Sequence, residues 1–213
     1  MQNKMKINYI IVLIIMQTFC ISLKSQTEFN DTFMSINNND YFNINADSIL
    51  KTNKLKYLYI YGQSFISIPS SIRKSKSLME LSFIDCKFEN ANVSIRQFKN
   101  LLSLNLYGSF HGVLPYGISN LKNLTKISIG FNKLKEIPQN IKFKRLKYLN
   151  ELNLDDNGIV SLNFDNFENC PLKILSLRCN KIKCLSSSDT LLLLENLDLS
   201  SNFINKLNVR IPN

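Results

Sequence analysis

The spacing L-x-x-L-x-L-x-x-N-x-L-x-x-L recurs seven times. The copies open at Leu55, Leu78, Leu101, Leu124, Leu149, Leu172 and Leu194, in steps of 23, 23, 23, 25, 23 and 22 residues. At such a period each copy is one supersecondary unit that cannot bury its own apolar face, so successive copies must stack. In the first copy Leu55, Leu58 and Ile60 alternate with Tyr57, Tyr59 and Tyr61. The alternation predicts a short strand, unstable alone, that pairs in parallel with its neighbours while the leucines merge into one interior. The fold class that follows is an α/β solenoid. It would have a parallel sheet on its concave face and mostly coil with 3₁₀ turns on its convex face.

Each further position has a physical role. At the ninth, an Asn amide can bond the backbone of adjacent turns and satisfy groups the bend would otherwise bury unpaired. Asn132, Asn157, Asn180 and Asn202 stand there in the last four copies, whereas the first three have Gln63, Cys86 and Ser109. The Asn ladder is therefore incomplete at its N-terminal end, and Cys86 reads as a buried structural residue. Position eleven is apolar except for His111, which predicts that Phe110 or Val113 fills that slot and His111 turns to solvent. Position fourteen carries Ile68, Leu114, Ile137, Leu162, Leu185 and Leu207. Pro69, Pro115 and Pro138 follow it in three copies, where a residue without an N–H suits an irregular outer segment.

Outside the repeats, residues 1–25 read as a secretory signal peptide. Lys4 and Lys6 precede the apolar run Ile10–Met16, which is well short of the ~20 residues a membrane span needs. Extending the run to Leu23 leaves an uncleaved anchor as the alternative, so membrane contact is expected only if this segment stays attached. Residues 26–54 read as an N-terminal cap, a short helix or irregular segment with helix over Asp47–Thr52. Residues 55–213 form the repeat domain. After Leu207 nothing resembles a polar cap, which leaves the last coil exposed, paired with another molecule, or cut short.

The chain carries a net charge of +10, or +7 once Lys4, Lys6 and Lys24 are removed. Much of the excess lies in Arg73, Lys74 and Lys76 and in Lys142, Lys144, Arg145 and Lys147, on the outer side of the coil. The plain reading of these clusters is a solvated convex face. The alternative is attraction to an anionic surface. Of the four cysteines beyond the leader, Cys170, Cys179 and Cys184 lie near enough in repeat numbering for a disulfide to be conceivable.

The segments "LKYLYIYGQSFISIPSSI" from Leu55 and "LTKISIGFNKLKEIPQNI" from Leu124 resemble leucine-rich repeat proteins, in particular the I-P-x-x-I subtype of bacterial secreted and surface proteins. Phe33-Met34-Ser35-Ile36 is similar to the segment that often precedes their first repeat. The resemblance covers residues 33–213. It implies a horseshoe that binds protein on its concave sheet. The missing Asn in three copies and the missing C-terminal cap depart from the pattern.

Positions three, five, seven and eight of each strand point away from the leucine interior or sit at its edge, and form the concave surface. They supply a candidate ligand-binding patch of Tyr57, Tyr59, Tyr61, Ile84, Asn105, Tyr107 and Phe131, rich in the aromatic side chains typical of binding hot spots. A secondary acidic patch comprises Glu151, Asp155, Asp156 and Asp198, with Arg178 among them. No Ser/His/Asp, Cys/His, phosphate-loop or metal-ligand constellation is present, and His111 is the sole histidine. The expectation is thus a non-catalytic, monomeric recognition module without cofactor or metal, secreted, periplasmic or at the cell surface. Its partner would be a protein or peptide, with no nucleic acid. The alternative is an envelope adhesion protein that meets anionic glycan or lipid through its basic convex face.

Overall fold

A computed structural model describes residues 33–36, 54–89, 93–137, 141–186 and 193–208, all within one compact unit, Asp31–Asn213. The leader and the helix expected over Asp47–Thr52 lie outside the described residues.

Seven strands open two residues into the seven repeats: β2 (Tyr57–Tyr61), β4 (Glu80–Ile84), β6 (Ser103–Asn105), β7 (Lys126–Ser128), β8 (Glu151–Asn153), β10 (Ile174–Ser176) and β12 (Asn196–Asp198). An eighth, β1 (Phe33–Ile36), precedes them. They form one eight-stranded sheet in the order β1-β2-β4-β6-β7-β8-β10-β12, parallel throughout, as the repeat requires. Register is set by the fourth position: Leu58, Leu81, Leu104, Ile127, Leu152, Leu175 and Leu197 stand in line across the strands. The first six are buried in the core and a slip of one residue would turn them out of it, whereas Leu197 on the last strand is 39% exposed.

The segment read as a helical or irregular cap departs from that reading at Phe33–Ile36. This stretch is a strand, with Met34 opposite Leu58. The physical reason is that β2 would otherwise present a row of unpaired N–H and C=O groups at the sheet edge, which an added strand satisfies.

The return runs are mostly coil with 3₁₀ turns, as expected, with one short α-helical turn and short outer strands besides. Ser70–Lys74 is one turn of α-helix (α1) behind Pro69, with Ile72 buried beneath it. 3₁₀ turns occupy Ile118–Asn120, Phe143–Arg145 and Phe164–Phe167. In addition, β3 (Ser64–Phe65) pairs with β5 (Lys87–Phe88). Likewise β9 (Ser161–Asn163), β11 (Cys184–Ser186) and β13 (Lys206–Asn208) pair in parallel. Extended segments of neighbouring coils lie side by side there and satisfy one another's amides.

The interior is a single contiguous apolar cluster from Ile36 to Leu185. Near its N-terminal end it is aromatic: Phe88 stacks on Phe65 at 5.4 Å and on Phe110 at 4.5 Å. Phe110 is thus the residue that fills the eleventh slot of its copy, and His111 is exposed.

The ninth position works as a ladder in every coil where its bonds are resolved. Asn157 Nδ2 donates to the carbonyls of Ile129, Leu154 and Asp155 at 3.0, 2.9 and 3.1 Å. Its Oδ1 accepts from the amides of Asn132 and Leu134, both at 3.0 Å. Ser109 reproduces part of this with one hydroxyl, which donates to Phe83 O and Tyr107 O and accepts from Cys86 N. Cys86, buried as expected, reaches Ile60 O and Ile84 O through its thiol at 3.4 and 3.5 Å. The coils therefore stay regular where Asn is missing.

Candidate functional site

Because the pleat alternates, the third, fifth and seventh residues of each copy leave the core on the concave side. The third row runs Tyr57, Glu80, Ser103, Lys126, Glu151, Ile174, Asn196, and the fifth runs Tyr59, Ser82, Asn105, Ser128, Asn153, Ser176, Asp198. Their middle members line a cleft of about 240 Å³ from Tyr59 and Glu80 to Glu151 and Asn153. The Tyr59 hydroxyl donates to Glu80 Oε2 at 2.5 Å, and Lys126 Nζ lies 2.7 Å from Glu151 Oε1. Burial, then the Glu80 carboxylate, pushes the Tyr59 phenol well above its ordinary range, so it remains a donor at any physiological pH. Ser82 is buried on this polar floor, and its hydroxyl has no hydrogen-bond partner among the described residues.

An aromatic rim lies beside the floor. Tyr107 and Phe131 stack with ring centroids 5.7 Å apart and planes 11° from parallel. Gly130 makes room for this, since a Cβ there would stand 3.0 Å from the Tyr107 ring. Phe131 is 44% exposed and Tyr107 half-buried.

Phe131 also illustrates a feature that the spacing did not reveal. The eighth residue of every copy adopts a left-handed backbone: Gly62, Asp85, Gly108, Phe131, Asp156, Cys179 and Ser201 have φ between 50° and 64°. Two glycines and two aspartates at one repeat position were a readable sign of it, because these residues tolerate that region. Phe131, Cys179 and Ser201 carry no such sign. A second local device sits in the fifth row. Asn105, Asn153 and Asp198 accept the backbone N–H two residues on, at 3.1, 2.9 and 2.9 Å, and so close the strand end.

The structure divides the expected residues. Tyr57, Tyr59 and Tyr61 are half-buried on β2, Asn105 lies in the cleft, and Tyr107 and Phe131 form the rim. Ile84 is corrected: at 8% exposure it is buried, although it stands outside the core cluster. It is paired in register with Tyr61, and bulky neighbours on the same face cover a branched side chain that is shorter than they are.

The acidic residues are largely engaged with their own neighbours. Glu151 is paired with Lys126. Asp155 Oδ1 accepts from Ser176 Oγ at 2.6 Å and from the Arg178 amide at 2.8 Å, which ties one coil to the next. Burial raises the Asp156 pKa against the pull of Arg178. Hydrogen bonds from Ser200 lower that of Asp198. Cys86, Cys170, Cys179 and Cys184 are free thiols. Among the described residues, no helix is long and apolar enough to cross a membrane.

No family model matches the chain. The CD180 antigen of Mus musculus is 27% identical over 148 residues, which cover 67% of this chain and 22% of that protein. A solved leucine-rich repeat protein of Leptospira interrogans is 26% identical, with a TM-score of 0.58, over 76% of this chain and 44% of its own. The mouse RP105/MD-1 complex matches with a TM-score of 0.64 at 20% identity, over 86% of this chain and 31% of the matched one. That last likeness speaks for the fold alone. The chain spans less than half the length of each of these three proteins.

Proposed function

We propose that this chain, a leucine-rich repeat protein, is an exported recognition module without catalytic activity that holds a protein or peptide on its concave sheet. Phe131 is the observation that carries the reading. A bulky residue in the left-handed region costs roughly 1–2 kcal/mol, yet Phe131 is 44% exposed and gives back little through burial. Its ring is presented to solvent, braced by Tyr107, beside a polar cleft. An aromatic rim over hydrogen-bonding groups is the usual make-up of a protein-binding hot spot. The mouse fold neighbour RP105, solved in complex with MD-1, supports a protein partner as the general class. Export rests on the basic start and the apolar run Ile10–Met16.

The test uses a partner captured by the full chain from extracts of the source organism. Phe131→Asn keeps a residue tolerant of positive φ while it removes the ring, and Tyr107→Ala removes its support. Each should weaken binding by about tenfold or more. Phe131→Asn should leave the fold at least as stable as the wild type, since it relieves the left-handed strain. Unchanged affinity in both variants would take the rim out of the binding site.

A further inference from the structure

The outer arcs of the first four coils are strongly basic. Residues 66–79, 89–102, 112–125 and 135–150, which run from position twelve of each copy to position two of the next, contain eleven Lys or Arg against two acids, Glu89 and Glu136. All eleven cations are exposed. The fifth arc is different, with Asp165 and Glu168. Within the basic arcs, Lys76, Lys99, Lys122 and Lys147 recur two residues before the next copy's first leucine. Hydrogen bonds between coils hold this row together. Asn100 Nδ2 donates to Lys76 O at 2.8 Å, and Asn123 Nδ2 to Lys99 O at 3.0 Å. Lys122 Nζ reaches Arg145 O at 3.4 Å. One lysine per coil at a strand spacing of about 4.8 Å gives a narrow line of cations.

Arg73 and Arg96 stand three residues before the first two lysines of the row. They line a cleft of about 200 Å³ with the polar side chains of Ser67, Ser94 and Gln97. The third coil closes tightly behind Arg96, since a Cβ on Gly117 would lie 2.6 Å from Arg96 Cβ. Among the described residues, the ion pairs Lys126–Glu151, Lys144–Glu168 and Lys173–Glu195 involve none of these six cations. A row of like charges repels itself, and an anion that spans the coils relieves that repulsion. Two guanidinium groups at one cleft suit a carboxylate or sulfate, which they can bind with paired hydrogen bonds.

We propose that this strip binds a linear acidic polysaccharide, with successive anionic groups along the lysine row and one group in the cleft of Arg73 and Arg96. One charge per coil in a single file fits a polymer with a charge on each monomer better than the broad plane of a membrane. Single-stranded nucleic acid would call for stacking platforms along the path, and of the two aromatic residues next to a row lysine Tyr148 is exposed and Phe98 is buried.

The test uses the full chain with heparin as the probe. Anionic phosphatidylserine vesicles and oligo(dT) represent the competing classes. Heparin should bind at about 0.15 M salt and weaken steeply as salt rises. Lys99→Glu with Lys122→Glu should weaken it by about tenfold, and Arg73→Gln with Arg96→Gln by about threefold or more. Lys181→Glu with Lys183→Glu makes the same charge change on exposed residues of the sixth copy and should alter binding by less than about twofold. Thermal melts verify that every variant is folded. Equal weakening by the two lysine pairs would overturn the proposal. So would no heparin binding at that salt, or vesicles or oligo(dT) bound at least as tightly as heparin.

Discussion

The coils that open at Leu78 and Leu101 hold Cys86 and Ser109 at their ninth position, whereas the four that follow hold asparagine. The same carbonyls are served in both regions. Asn157 donates to the residue 28 earlier and to those three and two before itself. Ser109 and Cys86 each reach back 26 residues and two residues. What differs is capacity. An amide offers two donors and a separate acceptor, a hydroxyl one donor and two lone pairs, and a thiol only weak versions of both. The N-terminal region compensates in its interior, where Phe65, Phe88 and Phe110 stack across three coils. Stacked coils thus fix where the ladder bonds must go, and residue identity decides only how strongly each rung is made.

This contrast can be broken by removing one rung from each region. Asn157→Ala strands the amides of Asn132 and Leu134, while the Ile129, Leu154 and Asp155 carbonyls keep the donors Asn132 Nδ2, Asn180 Nδ2 and Phe131 N, so it should cost about 3 kcal/mol or more. Ser109→Ala strands the Cys86 amide and takes a donor from Phe83 O, while Tyr107 O keeps the Asp85 amide, and it should cost about 1–2 kcal/mol. Urea unfolding followed by circular dichroism measures both. Equal losses would mean that the two regions depend on their ladders alike.

Alkaline pH sharpens the comparison by a smaller amount. Burial pushes both Cys86 and Cys170, one in each region, from 9.0 to about 11. A pKa raised by folding means that the folded state favours the protonated thiol. The associated stability is complete below about pH 9 and lost as pH rises towards about 11, by roughly 1–2 kcal/mol per thiol. Urea midpoints at pH 8 and 10.5 should therefore separate wild type from Cys86→Ser, which has one fewer buried thiol. The variant should lose less stability between these two pH values. An identical loss would show that Cys86 keeps its ordinary titration in the fold.

The stacking, the strand positions and most of the core were legible because a period in the twenties with leucines at fixed offsets has one physical solution. The concave patch was only partly legible. Alternation gives the side of the sheet on which a residue stands, and so placed Tyr107 and Asn105. It says nothing of how tall the neighbours are, and so missed that Ile84 is covered. The left-handed eighth position was half-written in Gly62, Gly108, Asp85 and Asp156. It could not be read at Phe131, where the neighbouring coils impose a backbone that the residue itself disfavours. The basic arcs were legible in the sequence only as the clusters Arg73, Lys74 and Lys76 and Lys142, Lys144, Arg145 and Lys147, without Arg96, Lys99 and Lys122. Their alignment into a row depends on coil-to-coil bonds such as Asn100 to Lys76.

The smallest effect tests the ladder most directly. If the coil geometry at the ninth position is already that of the asparagine copies, Cys86→Asn should be accepted without rearrangement, since the two side chains are close in volume. The new Oδ1 would face the Gln63 amide, which already donates to the Cys86 thiol. Its Nδ2 would face the Ile60 and Ile84 carbonyls that the thiol reaches at 3.4 and 3.5 Å. Exchange of weak sulfur bonds for amide bonds should gain up to about 1 kcal/mol. Against this stands the greater cost of burying an amide if any of its bonds fails. A gain, or no change within about 0.3 kcal/mol in urea unfolding, is the outcome that a shared geometry requires. A loss above about 1 kcal/mol would mean that the aromatic coils hold a different curvature, to which the thiol is fitted and the amide is not.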